Sequence, residues 1–122
     1  MIERKIVIAT DFSTEVHGRY RKDHEFNGTR FRNQVLLPAL RGADKVSVDL
    51  NGLSYGSSFL DEAFAGLVLY GYYDERTLRQ KLSWEHKLQS TRDRIDQYLR
   101  EAEYRSKHSL AGEREADYPI PN

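Results

Sequence analysis

Ser57 and Ser58, with Asp61 and Glu62 just after them, are the residues of this 122-residue chain whose types and spacing could do chemistry. Ser58 stands three residues before Asp61 and ahead of an apolar run. This is the spacing of a capping box, in which the serine oxygen accepts from an otherwise unpaired backbone N–H. Ser57 then lies one residue outside the helix. Asp61 and Glu62 are adjacent, so on a helix they project about 100° apart and do not converge as an acid–base pair. In a first turn both are favoured by the helix dipole, which accounts for them without catalysis. No catalytic residue is therefore assigned. His17, His24, His86 and His108 have no ligand spacing and no cysteine accompanies them, so no metal site is expected. Arg19, Arg21, Lys22, Arg30 and Arg32 are interleaved with Tyr20, Phe26 and Phe31 but interrupted by Asp23 and Glu25. They read as solvated surface or as a basic rim for an acidic partner, not as a nucleic-acid track. Phosphate-binding loops, dinucleotide fingerprints and nucleophile elbows are all missing from the sequence, so no cofactor is expected.

The elements that must position the serines are legible around them. Val46, Val48 and Leu50 alternate with Ser47 and Asp49, which predicts a strand from Lys45 to Leu50. Asn51, Gly52 and Gly56 make the turn, and Leu60, Ala63, Phe64, Leu67 and Val68 form the apolar face of a helix that stops near Gly71. Upstream, Lys5 to Ala9 predicts a strand covered on both sides, and Val16 to Arg21 a short second strand weakened by Gly18. A helix opens at Thr29 as cap, with Phe31, Val35, Leu36, Leu37 and Leu40 inward and Arg30, Arg32, Asn33, Gln34 and Arg41 outward. Pro38 should kink it or end it early, because it lacks a donor and its ring meets the preceding turn. Downstream, a helical turn spans Glu75 to Leu78 and a strand Arg79 to Glu85. A last helix, capped by Ser90 or Thr91, turns Ile95, Tyr98, Leu99 and Ala102 inward, with Asp96–Arg100 and Glu101–Arg105 paired along its outer side.

The segment DLNGLSYGSSFLDEAFAGLV, preceded by GRYRKDHEFNGTRFRNQVLLPAL, resembles the STAS-like family of uncharacterised bacterial proteins, relatives of anti-sigma factor antagonists. The likeness covers roughly the first two thirds of the chain and is sharpest from Gly56 to Glu62. Antagonists carry D-S-S-G at the equivalent turn and are phosphorylated on the second serine, so the resemblance places the phosphoacceptor on Ser58, or on Ser57 if the register slips by one. Here Gly56 stands at the aspartate position and Phe59 at the glycine. The resemblance further implies a regulatory protein-interaction module switched by serine phosphorylation. Its docking surface would be Gly56, Ser57, Ser58, Phe59, Asp61 and Glu62, with a histidine-kinase-like ATPase or anti-sigma-like regulator as partner and ATP belonging to that partner. A phosphate there would be stabilised by the helix N-terminus and repelled by Asp61 and Glu62. Helix capping alone remains the competing account of both serines.

The fold class is accordingly α/β: a small STAS-like domain with a mainly parallel or mixed sheet of about four strands and three main helices. Residues 1–107 form the domain and 108–122 a polar C-terminal tail ending in YPIPN, read as mobile or laid on a neighbour. Nineteen basic and nineteen acidic side chains balance, giving no global pull toward nucleic acid or membrane. The absence of cysteine and of any run of ~20 apolar residues suits a cytoplasmic protein. An alternative function is a small ligand-binding or enzymatic domain using the carboxyl ends of the strands, near Asp11, Asp49, Asn51 and Ser57.

Overall fold

The computed structural model describes residues 1–105 and 117–121. Strand β1 (Glu3–Val7) runs into a helical turn, α1 (Ile8–Asp11). Helix α2 spans 28–42, strand β2 is Lys45–Asp49, and helix α3 spans 57–69. Helix α4 (Glu75–Lys81) leads directly into β3 (Leu82–Glu85), and α5 (Gln89–Arg105) closes the described fold. The strands form one parallel three-stranded sheet in the order β1-β2-β3.

The register explains which sheet face is buried. Ile6, Val48 and Trp84 lie side by side, as do Val46 and Leu82, and this face meets the helices. Lys5, Ser47 and Ser83 share the other face with Asp49 and Glu85, and Lys5 Nζ reaches Glu85 at 3.3 Å and Asp49 at 3.9 Å. The expected cover on both sides of β1 is therefore corrected: alternation along the strands marks a sheet with one apolar and one polar face.

Three strands are found among the described residues, not four. Val16 to Arg21 is irregular, its backbone held by bonds such as His17 N–H to Phe26 C=O (3.0 Å) and Thr29 N–H to Arg19 C=O (3.0 Å). The described residues form five helical stretches, against the three main helices expected. Arg79 to Lys81, expected in a strand, belongs to α4, which Asp74 caps by accepting from Thr77 N–H (2.7 Å). That cap sets a helical register that persists until the buried Leu82 joins the sheet.

Helix α2 begins two residues earlier than expected, capped by Asn27 in place of Thr29. Asn27 Oδ1 accepts from Arg30 N–H at 2.9 Å, while the Thr29 hydroxyl donates to Arg19 C=O at 2.7 Å. Pro38 does not stop the helix. Residues Arg32–Leu36, immediately before it, adopt the wider π form, and the helix then continues to Gly42. The wider turn precedes the residue that supplies no amide donor, which is where an α-helical ladder would be broken.

Helix α3 is the centre of the molecule. From Phe59 to Val68 every residue is buried, with Phe59 and Phe64 against Phe31 of α2 and Phe64 against Trp84 of β3. A helix apolar on nearly all sides needs cover on nearly all sides, and α5 supplies another side through Thr91, Ile95, Leu99 and Ala102. Tyr98, expected inward, is partly buried against the same core. Gly28 allows α2 and α3 to touch: a Cβ there would lie 2.9 Å from both Phe59 O and Glu62 Cβ.

Candidate functional site

The serine turn is exposed, and it is built differently from a capping box. Gly56 is the N-cap of α3, in extended conformation with no side-chain cap bond, so Ser57 and Ser58 are the first two helical residues. Ser58 is not the cap. Both side chains face solvent, whereas Phe59 (0 % exposed), Asp61 (5 %) and Glu62 (2 %) are turned inside. Of the six residues of the expected docking stretch, Gly56, Ser57 and Ser58 are on the surface.

Arg19 and Lys22, together with His17 and Asp23, face Ser57 and Ser58 across a concavity of about 440 Å³. A second hollow of about 300 Å³ joins Ser57 to Arg19, Tyr98 and Arg105. Arg94 of α5 donates to Tyr55 C=O at 3.1 Å and reaches Ser57 Oγ at 3.4 Å. The basic group expected near residues 19–32 thus divides: Arg19 and Lys22 border the serine turn, and Arg32 is fully buried, contrary to the solvated face expected for it.

Asp61 and Glu62 start a second π segment, Asp61–Ala65, and hold a charge network under the turn. Arg105 grips Asp61 with two parallel bonds, 2.8 Å and 3.0 Å, and Arg19 donates to Asp61 Oδ2 at 2.8 Å. Arg105 therefore pairs with Asp61 rather than in the expected Glu101–Arg105 pair, while Asp96–Arg100 forms at 3.1 Å. Burial alone would raise the Asp61 pKa, but the Arg105 and Arg19 bonds outweigh it and hold the carboxyl below its ordinary value. Burial likewise opposes the charge on Arg19, and the Asp61 carboxylate more than offsets that.

Glu62 lies deeper. Its Oε2 accepts from Arg32 Nη1 at 2.9 Å and from the Tyr70 hydroxyl at 2.6 Å, and its Oε1 lies 3.6 Å from Arg19. Arg32 Nη1 also donates to Glu62 C=O at 2.6 Å, and its guanidinium lies 4.6 Å from the Tyr70 ring centroid. Burial, with the Glu62 charge beside it, pushes the Tyr70 hydroxyl well above its usual pKa. Gly66 makes room for this packing, since a Cβ there would stand 2.3 Å from Arg32 Nη1. One signal in the sequence marks Arg32 as inward: it precedes Leu36 and Leu40 at intervals of four, on the same helical stripe.

The other candidate residues are engaged in local turns at the carboxyl ends of the strands. Asp11 Oδ2 accepts from Val7 N–H (2.7 Å), Asp49 from Asn51 N–H (2.8 Å), and Asn51 from Lys87 N–H (2.8 Å). The nearby Tyr55 hydroxyl is buried without a hydrogen-bond partner, and burial raises its pKa. His86 is buried, with Nε2 3.0 Å from Leu53 C=O and Nδ1 accepting from Leu88 N–H (3.1 Å). No group of three or more potential metal ligands occurs among the described residues. Among them, too, no helix is long and apolar enough to cross a membrane.

Of the expected tail 108–122, residues 108–116 and 122 lie outside the described residues, and 117–121 rest on the loop before α2 and on α2 itself.

Comparison with known proteins returns neither a curated protein nor a solved structure that matches the chain. The family model described as a STAS-like domain of unknown function (DUF4325) matches residues 27–87, half of the chain, from the cap of α2 through β3. With that match, which spans α2, β2, the buried α3 and β3, the chain belongs to the family of STAS-like domains of unknown function.

Proposed function

We propose that the chain is a regulatory protein-interaction module that docks a protein partner at the Gly56–Ser58 turn, with phosphorylation of Ser58 or Ser57 as its switch. A STAS-like domain suggests a regulatory role. The observation that carries the finer reading is an exposed serine pair at the first two positions of α3, with Arg19, Lys22 and Arg94 around it. A serine phosphate carries about −1.5 to −2 charge and pairs well with arginine. The repulsion expected from Asp61 and Glu62 is muted, because both carboxylates point inward and are matched by Arg19, Arg32 and Arg105. The phosphate would instead neutralise a cationic rim, turning a surface suited to an acidic partner into one that repels it. By its resemblance to anti-sigma factor antagonists, the partner class is a histidine-kinase-like ATPase, which would supply both ATP and the kinase activity.

The test is titration of that ATPase with wild type, Ser57→Asp, Ser58→Asp and Ser58→Ala, each verified as folded by circular dichroism. Binding should survive Ser58→Ala and fall at least tenfold in one of the aspartate variants. Equal affinity across all four would refute the switch. In parallel, incubation with the ATPase and ATP should add one phosphate on Ser57 or Ser58 by peptide mass mapping.

A further inference from the structure

Residues 117–121 occupy a groove formed by the loop before α2 and by α2 itself. Asn27 and Asn33 are buried amides, 0 % and 1 % exposed, and both serve this groove. Asn27 Nδ2 donates to the Tyr118 hydroxyl at 2.9 Å, and Asn33 Nδ2 donates to the Tyr118 backbone carbonyl at 2.9 Å. Arg21 donates to Asp117 C=O at 2.6 Å while its guanidinium lies 4.9 Å from the Tyr118 ring centroid. Tyr118 is 7 % exposed, Ile120 packs on the core, and Pro119 and Pro121 face solvent.

Those contacts hold one short segment, with a turn at Asp117 and a bend at Tyr118, in three ways: by a ring, by the hydroxyl at its tip, and by two main-chain carbonyls. Main-chain bonds combined with a side-chain pocket are the grammar of peptide recognition, and the prolines restrict the backbone and lower the ordering cost. Tyr118 is the segment's one buried large side chain, and Ile120 rests partly buried on the core.

We propose that this groove is a peptide-recognition site for a Tyr-Pro-Ile-Pro segment, filled in cis by residues 117–121 as an autoinhibitory plug. A partner presenting the same chemistry enters as the plug leaves. The tethered plug acts at a high effective concentration, so wild type shows an affinity in trans reduced by the fraction of molecules that are open. The same loop carries Arg19 and Lys22 to the serine turn and Arg21 to the plug.

The probe is a fluorescein-labelled peptide of residues 116–122, ADYPIPN, followed by anisotropy as full-length protein is added. Full-length Tyr118→Ala should bind it saturably and at least about tenfold more tightly than wild type, because its own plug has lost the anchor. A peptide carrying Tyr118→Phe should bind that variant roughly fivefold more weakly, having lost the hydroxyl that Asn27 bonds. If circular dichroism shows Tyr118→Ala to be unfolded, full-length Tyr118→Phe takes its place, with an affinity expected between those of the two proteins. Equal binding by wild type and the folded variant would overturn the proposal. So would failure to saturate, or a scrambled peptide binding as well as the true one.

Discussion

Separating Glu62 from Arg32 should unfold much of the margin that keeps this domain native, and removing both together should restore most of it. The Arg32 side chain is 0 % exposed and that of Glu62 1 %, joined at 2.9 Å, with a second bond from Arg32 to the Glu62 carbonyl at 2.6 Å. Neither charge has water to fall back on. Replacing Glu62 by leucine leaves a guanidinium in the interior, and replacing Arg32 by methionine leaves a carboxylate there. Breaking a buried pair from one side costs about 3–5 kcal/mol, a large part of the ~5–15 kcal/mol that stabilises a domain. The double variant Arg32→Met/Glu62→Leu leaves no orphaned charge of this pair and fills similar volume, so it should lie within about 2 kcal/mol of wild type. The assay is urea unfolding by circular dichroism and tryptophan fluorescence, Trp84 being the single tryptophan. With a slope of about 2 kcal/mol/M, each single variant should lower the midpoint by roughly 1.5–2.5 M. The cycle should then give a coupling of about 3 kcal/mol or more. Single losses below about 1 kcal/mol, or a double variant that loses the sum of the two, would refute the reasoning.

Three further outcomes follow from the same geometry. Asp61 has a folded pKa held below that of the unfolded chain, so its stabilisation is whole above about pH 4–5 and drains as pH falls through the folded value. Asp61→Asn should therefore be less stable than wild type at pH 7 and show a flatter acid limb in melting temperature between about pH 5 and 2. Gly66→Ala should cost about 1–3 kcal/mol in chemical denaturation, because its Cβ would meet Arg32 Nη1 at 2.3 Å in an interior where the guanidinium has nowhere to move. Ser58→Ala should change stability by less than about 0.5 kcal/mol, because Ser58 is exposed and caps nothing, whereas Asn27→Ala should lose about 1 kcal/mol or more with the cap of α2.

What the sequence determined on its own was whatever depends on neighbours along the chain. Alternation at Val46 and Val48 set β2, the apolar repeat from Leu60 to Val68 set the central helix, and Ile95, Leu99 and Ala102 set the inner stripe of the last one. The family was legible too, from the Gly56 to Glu62 core. The tertiary structure decided which way charged residues point, since helical position alone is compatible with either solvent or interior. Asp61 and Glu62 in a first turn looked sufficiently explained by the helix dipole, yet their partners come from residues 19, 32, 70 and 105, brought together by the packing of α2 and α5 on α3. Caps behaved likewise: Asn27 and Thr29 are both able to cap α2, and the close approach of α2 to α3 through Gly28, together with the tie from Thr29 to Arg19, left that role to Asn27, while Ser58 lies inside α3, whose N-cap is Gly56. Pro38 announced a distortion, and only the packed helix absorbed it as a π segment instead of an end. Local periodicity fixes an element's existence because its energetics are summed over adjacent residues. The site depends on contacts between residues tens of positions apart, and their geometry exists only once the core has closed.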